Sequence, residues 1–255
     1  MKSQYSKHNI SDTEFIKILK NKIKNKESLS FGRFGDGEIY FINGIIPKKI
    51  EDQLRVIWGY SDMKKAKEDV LQIINTALRD CDIIGLMDPD NDICKNISFS
   101  YSKWSIKKDY LNKVRSKPLL IADHMIARSP ILGDIYKFKE IIQGNDIAII
   151  SPRAELLKNN KLEEILGVNI NYIEVPLGLN LTDRSNTFKK LDNISELIVL
   201  YGCSIMGKDF GSYLSNRGKI ALDFGATLDA WAGLTTRRWF SEGGLQNHCL
   251  IKRNK

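Results

Sequence analysis

Two acidic residues, Asp36 and Glu38, flank a single glycine in the segment "SFGRFGDGEIYF" at residues 30–41. Carboxylate oxygens are the ligands that Mg²⁺ and Mn²⁺ prefer, so the pair is a candidate site for a divalent cation. On a regular helix the two side chains would diverge by about 200°, whereas in an extended segment or a turn they share one side. Gly37 keeps the space between them open. The structural alternative is that Asp36 caps a helix and that Glu38 stabilises its first turn.

The elements that must position these acids follow from the hydrophobic pattern of the chain. Short apolar runs, each closed by a polar or glycine-containing turn, read DIIGLM, PLLIAD, DIAIISP, INYIEVP, ELIVLYG and KIALDFG. Helical patterns such as ILGDIYKFKEII and GKDFGSYLSN separate most of them. With the strand before Asp36 included, the alternation predicts an α/β fold with a doubly wound, mostly parallel sheet of about seven strands. Ligands of such folds bind beyond the carboxyl ends of the strands.

The N-terminal part of the chain is predicted to be helical. Ser11 and Glu14 form a capping box, and apolar residues then recur at helical spacing, which predicts an amphipathic helix over residues 12–26. Residues 51–80 are also predicted to be mostly helical, with a break near "WGYSD". We expect one α/β domain over residues 1–255, with the helix at 12–26 as an appendage.

Composition limits the classes of function. With 255 residues, 42% of them hydrophobic, the chain can bury a substantial core. The four cysteines form no C-x-x-C pair and share no ligand spacing with the three histidines, which argues against a zinc site or a disulfide framework. The first residues lack the apolar stretch of a signal peptide, and no apolar run reaches the length of a membrane span. The sequence therefore predicts a reduced, cytoplasmic protein.

The segments "FGRFGDGEIYFINGI" and "LDFGATLDAWAG" resemble the GT-D type of bacterial glycosyltransferase, a family with a Rossmann-like fold and a D-x-E motif. The similarity runs from residue 28 to residue 235 and includes "ISPRAELLKN" and "LYGCSIMGKDF". It implies that Asp36 and Glu38 bind a divalent metal ion, Mn²⁺ or Mg²⁺, that engages the diphosphate of a nucleotide-sugar donor such as UDP-glucose.

The resemblance also implies an acceptor. The sugar would pass to a glycan, glycolipid or glycoprotein during the synthesis of bacterial surface polysaccharide or glycoprotein. A lipid-linked acceptor would bring the chain into peripheral contact with the inner face of the membrane.

Further side chains at the strand ends are candidates for holding the donor. Arg33 would reach the phosphates or form a salt bridge with a neighbouring acid. Arg153 begins a helix whose free N–H groups would hold a phosphate or the uridine end of the donor, or it is an ordinary surface residue. The candidate nucleotide-sugar-binding residues are Arg33, Gly35, Gly37, Ser151, Arg153, Gly202, Lys208 and Gly225.

Residues 202–208 match the P-loop pattern G-x-x-x-x-G-K between a predicted strand and a predicted helix. The next residue is Asp209, where a P-loop requires Ser or Thr to reach Mg²⁺. We therefore interpret the segment as a glycine-containing turn that places Lys208 near the donor diphosphate, and plain turn chemistry is the alternative.

Near the last strand, Asp223 is a candidate base for deprotonating an acceptor hydroxyl or a group that orients the sugar. The alternative is that Asp223 accepts backbone hydrogen bonds in the turn, and Asp229 lies in the helix that follows. Trp231 and Trp104 would stack on a sugar or base, or pack in the core. His124, in "IADHMIAR", also stands at a strand end.

Two other classes of function remain open from the residues alone. The net charge of +8 suggests anionic partners. The short lysine clusters of the chain would suit either a solvated surface or a nucleic-acid-binding module without catalysis. A metal-dependent phosphohydrolase would use the same acids and release inorganic phosphate without a sugar acceptor. The resemblance favours the glycosyltransferase, and we expect no nucleic-acid partner.

Overall fold

The computed structural model describes residues 8–86 and 106–236. Its centre is a sheet of seven strands in the order β3-β2-β1-β7-β6-β4-β5. The strands are β1 (Leu29–Phe34), β2 (Ile83–Leu86), β3 (Ile121–Asp123), β4 (Ile147–Ser151), β5 (Ile170–Glu174), β6 (Ile198–Tyr201) and β7 (Ile220–Asp223). All pairings between these strands are parallel. The predicted doubly wound α/β fold is confirmed, and the described sheet is parallel throughout.

Helices cover both faces of the sheet. In chain order they are α1 (Asp12–Asn25), α2 (Asp36–Ile42), α3 (Lys48–Val56), α4 (Met63–Asp80), α5 (Lys108–Val114), α6 (Ile135–Ile142), α7 (Ala154–Asn159), α8 (Leu162–Leu166), α9 (Leu181–Leu191), α10 (Phe210–Ser215) and α11 (Ala226–Trp231). Two short 3₁₀ turns cover Ile126–Arg128 and Ile205–Gly207. The break predicted near "WGYSD" separates α3 from α4.

Alternation along the strands produces two hydrophobic cores. Successive side chains of a strand point to opposite faces of the sheet. In β4, Ala148 and Ile150 belong to one core, and Ile147 and Ile149 belong to the other. The first core also receives side chains from α2, α3, α4, α5, α9 and α10, and the second receives side chains from α1, α6, α7, α8 and α11. Strands buried on both faces explain the near-continuous apolar runs in the sequence.

The connections that follow the four strands β1, β7, β6 and β4 lead to alternating faces of the sheet. The chain leaves β1 and β6 toward the first core, and it leaves β4 and β7 toward the second core. These four strands are neighbours in the order β1-β7-β6-β4. Where successive connections depart to opposite faces, the carboxyl ends of the strands are left uncovered, and ligands of doubly wound folds bind there. The crevice beyond β1, β7, β6 and β4 is therefore the place to look for a site.

Helix α1 begins as the sequence predicts. The N–H of Glu14 donates to Oγ of Ser11 (3.2 Å) and the N–H of Ser11 donates to Oε2 of Glu14 (2.7 Å), which completes the capping box. Phe15, Leu19 and Ile23 are buried in the second core, so the helix expected as an appendage packs against the sheet domain. No helix of the described ranges has the length and apolar composition to cross a membrane.

Candidate functional site

The D-x-E motif follows β1 directly, and both acids lie in the first turn of α2. The helix leaves the two carboxylates in different surroundings: Asp36 is exposed, whereas Glu38 is 7% exposed. Oε2 of Glu38 accepts the N–H of the N-cap residue Gly35 at 2.8 Å. The two acids therefore begin a helix, as the structural alternative expected, but the N-cap is Gly35 rather than Asp36, and Glu38 accepts the N–H of that residue.

Glu38 also belongs to a buried group of charges, the Lys208 cluster, which consists of Lys208, Glu38, Asp223 and Arg33. Nζ of Lys208 lies 3.3 Å from Oε1 of Glu38 and 2.7 Å from Oδ2 of Asp223. It also donates to the main-chain carbonyl of Arg33 at 2.5 Å. Each of the four residues is at most 8% exposed. One ammonium group therefore joins α2, β1 and the end of β7 at the crevice.

Charge pairing sets the protonation of this cluster. Burial by itself would raise the pKa of the Asp223 carboxyl, but Lys208 and Arg33 outweigh it and hold that pKa below its ordinary value. Burial likewise opposes the charge of Lys208, and Asp223 and Glu38 raise its pKa above the ordinary value. A buried carboxylate with a lowered pKa is a poor proton acceptor. The geometry therefore favours a role for Asp223 in orienting Lys208 and Arg33 rather than a role as a general base.

The segment with the P-loop pattern has a different local structure. Lys208 points into the protein cluster, and Asp209 forms a two-pronged salt bridge with Arg184, with N···O distances of 3.0 and 2.9 Å. Nη1 of Arg184 also donates to the carbonyl of Met206. Asp209, the residue that departs from the P-loop pattern, thus has a structural partner, and the segment serves to anchor Lys208.

Arg33 lies at the end of β1 with part of its donor capacity unused. Its Nε is 3.7 Å from Oδ1 of Asp223, and its backbone N–H donates to Oδ2 of the same residue at 3.3 Å. Nε and Nη1 have no hydrogen-bond partner within the described ranges. The guanidinium is close to the turn after β7, where a Cβ on Gly225 would stand 2.5 Å from Nη2. Arg33 thus pairs with Asp223 rather than with Asp36 or Glu38, the neighbouring acids expected as its partners, and donors remain for a ligand.

The end of β4 contributes a second arginine to the crevice. Oγ of Ser151 accepts the N–H of Arg153 at 3.0 Å, and Nε of Arg153 lies 3.5 Å from Oδ1 of Asp229 in α11. The turns after β6 and β7 approach each other closely, since a Cβ on Gly202 would stand 3.0 Å from the carbonyl oxygen of Gly225. The structure therefore brings the candidate residues of four strand ends to the same crevice.

Other candidates have different surroundings. Trp231 is fully buried, its Nε1 donates to the carbonyl of Gly133 at 2.9 Å, and its ring packs with Phe138 and Phe224, so it belongs to the core and does not stack on a ligand. His124 is close to Asp123, with Nδ1 3.3 Å from Oδ1. Trp104 lies outside the described residues.

Arg128 is a buried cation near the site that sequence reasoning did not single out. It ends the first 3₁₀ turn, four positions after His124, and is 7% exposed. A basic residue shortly after a strand end was the available signal, but nothing in the local pattern indicates that its side chain is buried.

A divalent cation fits this site through one acid. The carboxylate of Asp36 is exposed and has no hydrogen bond or ion pair to the described residues, whereas both oxygens of Glu38 are engaged. Residues 8–86 and 106–236 contain no group of three or more acidic, histidine or cysteine side chains arranged to hold a metal. Mg²⁺ and Mn²⁺ commonly take one or two protein carboxylates and complete their coordination with phosphate oxygens and water. The arrangement suits an ion that Asp36 binds together with a diphosphate.

Replacing Gly225 with alanine is expected to lower the free energy of unfolding by about 1–3 kcal/mol. Its φ of +46° is a conformation that residues with a Cβ rarely adopt, and the new methyl group would meet Nη2 of Arg33. Urea unfolding measures the change. Gly218→Ala is the control, because Gly218 has φ +79° but open space around its Cβ position. Equal losses in the two variants would show that close packing against Arg33 adds nothing.

The chain is similar to known proteins in sequence and in fold. The model of the GT-D-like family, a GT-D fold-like domain, matches residues 10–231. A solved domain of unknown function 1792, described as having a distinct glycosyltransferase fold, is similar with a TM-score of 0.62 and 16% identity, over 96% of this chain and 84% of that chain. A DUF1792 glycosyltransferase from Streptococcus sanguinis has a TM-score of 0.59 and 18% identity, over 93% and 85% of the two chains.

No protein of curated function matches the chain. The family match spans the sheet, the D-x-E motif and all four strand ends that border the crevice. The chain therefore belongs to the GT-D-like family, and its fold is similar to the glycosyltransferase fold of the DUF1792 domain.

Proposed function

We propose that the protein is a metal-dependent glycosyltransferase that uses a nucleoside-diphosphate sugar, such as UDP-glucose, as its donor. The observation that carries this proposal is the exposed carboxylate of Asp36 after β1, on the same strand end as Arg33, whose Nε and Nη1 have no partner within the described ranges. Asp36 can bind a metal ion and Arg33 can bind phosphate, and a diphosphate leaving group needs both kinds of contact.

Each residue of the site has a role in this proposal. A bound Mn²⁺ or Mg²⁺ would act as a Lewis acid that stabilises charge on the departing diphosphate. Asp36 holds the ion. Glu38 and Asp223 fix Lys208, and Lys208 in turn fixes the carbonyl of Arg33 at the end of β1. Preorganised charges of this kind need no rearrangement as the transition state forms.

Arg153 extends the proposed donor site toward β4. Its Nε has no hydrogen-bond partner within the described ranges, and its ion pair with Asp229 at 3.5 Å holds it between the ends of β4 and α11. From there it would contact the nucleoside or the distal phosphate of the donor. We propose a glycan, glycolipid or glycoprotein as the acceptor, with the enzyme on the cytoplasmic side of a bacterial membrane when the acceptor is linked to lipid.

A thermal-shift panel tests the donor and the metal together. Unfolding would be followed with UDP, GDP and ADP sugars, each with Mn²⁺, with Mg²⁺ and with EDTA. A ligand present at 100 times its Kd stabilises the folded state by about 2.7 kcal/mol, which is a readily measured shift. We expect the largest shift with a UDP-sugar plus Mn²⁺. If no nucleotide sugar raised the melting temperature with either metal, the proposed donor class would be wrong.

A further inference from the structure

The guanidinium of Arg33 is a buried cation whose donors the described fold leaves unused. Its side chain is 9% exposed, and Nε and Nη1 have no hydrogen-bond partner in the described part of the chain. The 3.7 Å between Nε and Asp223 is an ion-pair distance but is too long for a hydrogen bond. A buried donor without a partner destabilises the fold, and a ligand that accepts from both nitrogens would offset that cost. A guanidinium fork suits two oxygens of one phosphate group.

A glycine on the neighbouring strand lets the turn after β3 approach β2 closely. Arg33 is in register with Gly85 of β2. Phe31 and Ile83 belong to the second core. Arg33 and Gly85 lie two positions after them on the same strands, and residues two apart on a strand point to the same face of the sheet. Arg33 and Gly85 therefore lie on the second-core face. A Cβ on Gly85 would stand 3.1 Å from Cα of His124. The main chain of His124 therefore lies directly over β2, one strand away from Arg33.

The imidazole of His124 is largely buried, with its side chain 12% exposed. Burial lowers the pKa of the His124 imidazole, Asp123 opposes this effect, and the positive charges of Arg128 and Arg33 lower the pKa further. The imidazole is therefore neutral near pH 7.

The turn that carries Arg128 packs against the start of α11. Arg128 ends the 3₁₀ turn at Ile126–Arg128, and its Nη1 contacts Sδ of Met125 at 3.5 Å. This turn is fixed to α11, because Oγ1 of Thr227 donates to the carbonyl of Ala127 at 2.9 Å. Gly225, just before α11, is the residue that abuts Nη2 of Arg33. The start of α11 is thus flanked by Arg33 and by the turn that carries Arg128.

We propose that Arg33 and Arg128 form a phosphate-binding subsite that operates without a metal ion, with His124 between them. The ligand is a phosphoryl group, and two sources supply it: the donor diphosphate, or a phosphate on a lipid-linked acceptor. The assignment of these sources rests on the proposed function. The subsite lies on the second-core side of β1, whereas Asp36 begins a helix that packs on the first core. The arginines and an ion bound by Asp36 would therefore contact different phosphate oxygens.

Calorimetric titration with inorganic pyrophosphate in EDTA tests the subsite, because this probe carries no nucleoside, sugar or metal. The wild-type protein is expected to bind it. Arg128→Met should weaken binding at least tenfold. Arg33→Lys keeps the positive charge that Asp223 requires but removes the guanidinium donors, and it should weaken binding to a similar extent. Arg79→Met is the matched control, since Arg79 pairs with Asp80 at the surface, with its side chain 51% exposed, and its loss should leave the affinity unchanged.

Competition then identifies the source of the phosphate. If UDP in EDTA displaces pyrophosphate and uridine does not, the subsite holds the donor; if pyrophosphate binds but UDP does not displace it, the phosphate belongs to the acceptor. Absence of pyrophosphate binding by the wild-type protein, or equal affinity in Arg33→Lys and Arg79→Met, would overturn the proposal. Neither result depends on sugar transfer, so failure of the subsite is distinguishable from failure of the proposed donor.

Discussion

Replacing Lys208 with methionine is expected to lower the free energy of unfolding by about 3–5 kcal/mol, the cost of removing one partner from a buried ion pair. Methionine keeps most of the side-chain volume but leaves the carboxylates of Glu38 and Asp223 buried without their cation. Both acids are at most 7% exposed, so water cannot replace the ammonium group without a change in packing. Urea denaturation at pH 7 measures the loss.

A surface lysine provides the matched control for this variant. Lys67 forms an equally short salt bridge with Glu51, 2.6 Å from Nζ to Oε1, but its side chain is 41% exposed. Lys67→Met should cost less than about 1 kcal/mol, because exposed ion pairs contribute little. If Lys208→Met were no more destabilising than Lys67→Met, the Lys208 cluster would not hold the crevice together.

Replacing Asp36 with alanine is expected to reduce sugar transfer by about 100-fold or more, since a catalytic metal ion supplies several kcal/mol of transition-state stabilisation. The fold should be almost unaffected. Asp36 is exposed, and its favourable position in the first turn of α2 contributes only about 0.3–1 kcal/mol. Steady-state transfer assays and melting temperatures, recorded on the same preparations, separate the two effects.

Two further variants sharpen this test. Asp52→Ala removes an exposed acid from α3 and should leave transfer unchanged. Glu38→Gln should lower both stability and transfer, because Glu38 caps α2 and pairs with Lys208. Transfer by Asp36→Ala at the rate of Asp52→Ala would contradict the proposed metal role. If only Glu38→Gln lost transfer, the D-x-E motif would have a structural role and not a metal-binding one.

The sequence predicts the framework of this fold well because the framework depends on local patterns. The capping box of Ser11 and Glu14 and the apolar spacing after it place α1 within one residue of its end at Asn25. Buried strands produce continuous apolar runs, so all seven strands are visible in the sequence before their order is known. Those strand ends also direct attention to Asp36, Arg33, Arg153 and Lys208.

The contacts within the site depend on strand order, which local patterns do not contain. Arg33 and Asp223 are 190 positions apart and meet only because β1 lies beside β7. The P-loop pattern has the same limitation: Asp209 is paired by Arg184, which is 25 positions earlier on another helix. Gly85 is a third case, since its role is to admit the main chain of His124. None of these partners has a recognisable spacing.

The pairing of β1 with β7 has a consequence for how the protein is made. The first strand of the described residues lies beside the central strand of the sheet, and that central strand, β7, is the last strand of the described residues. Contacts between such distant positions form slowly, because a long loop must close before they can form. The nascent chain must therefore carry Arg33 without its carboxylate partner until Asp223, 190 positions later, has emerged, and binding competence cannot be acquired before then.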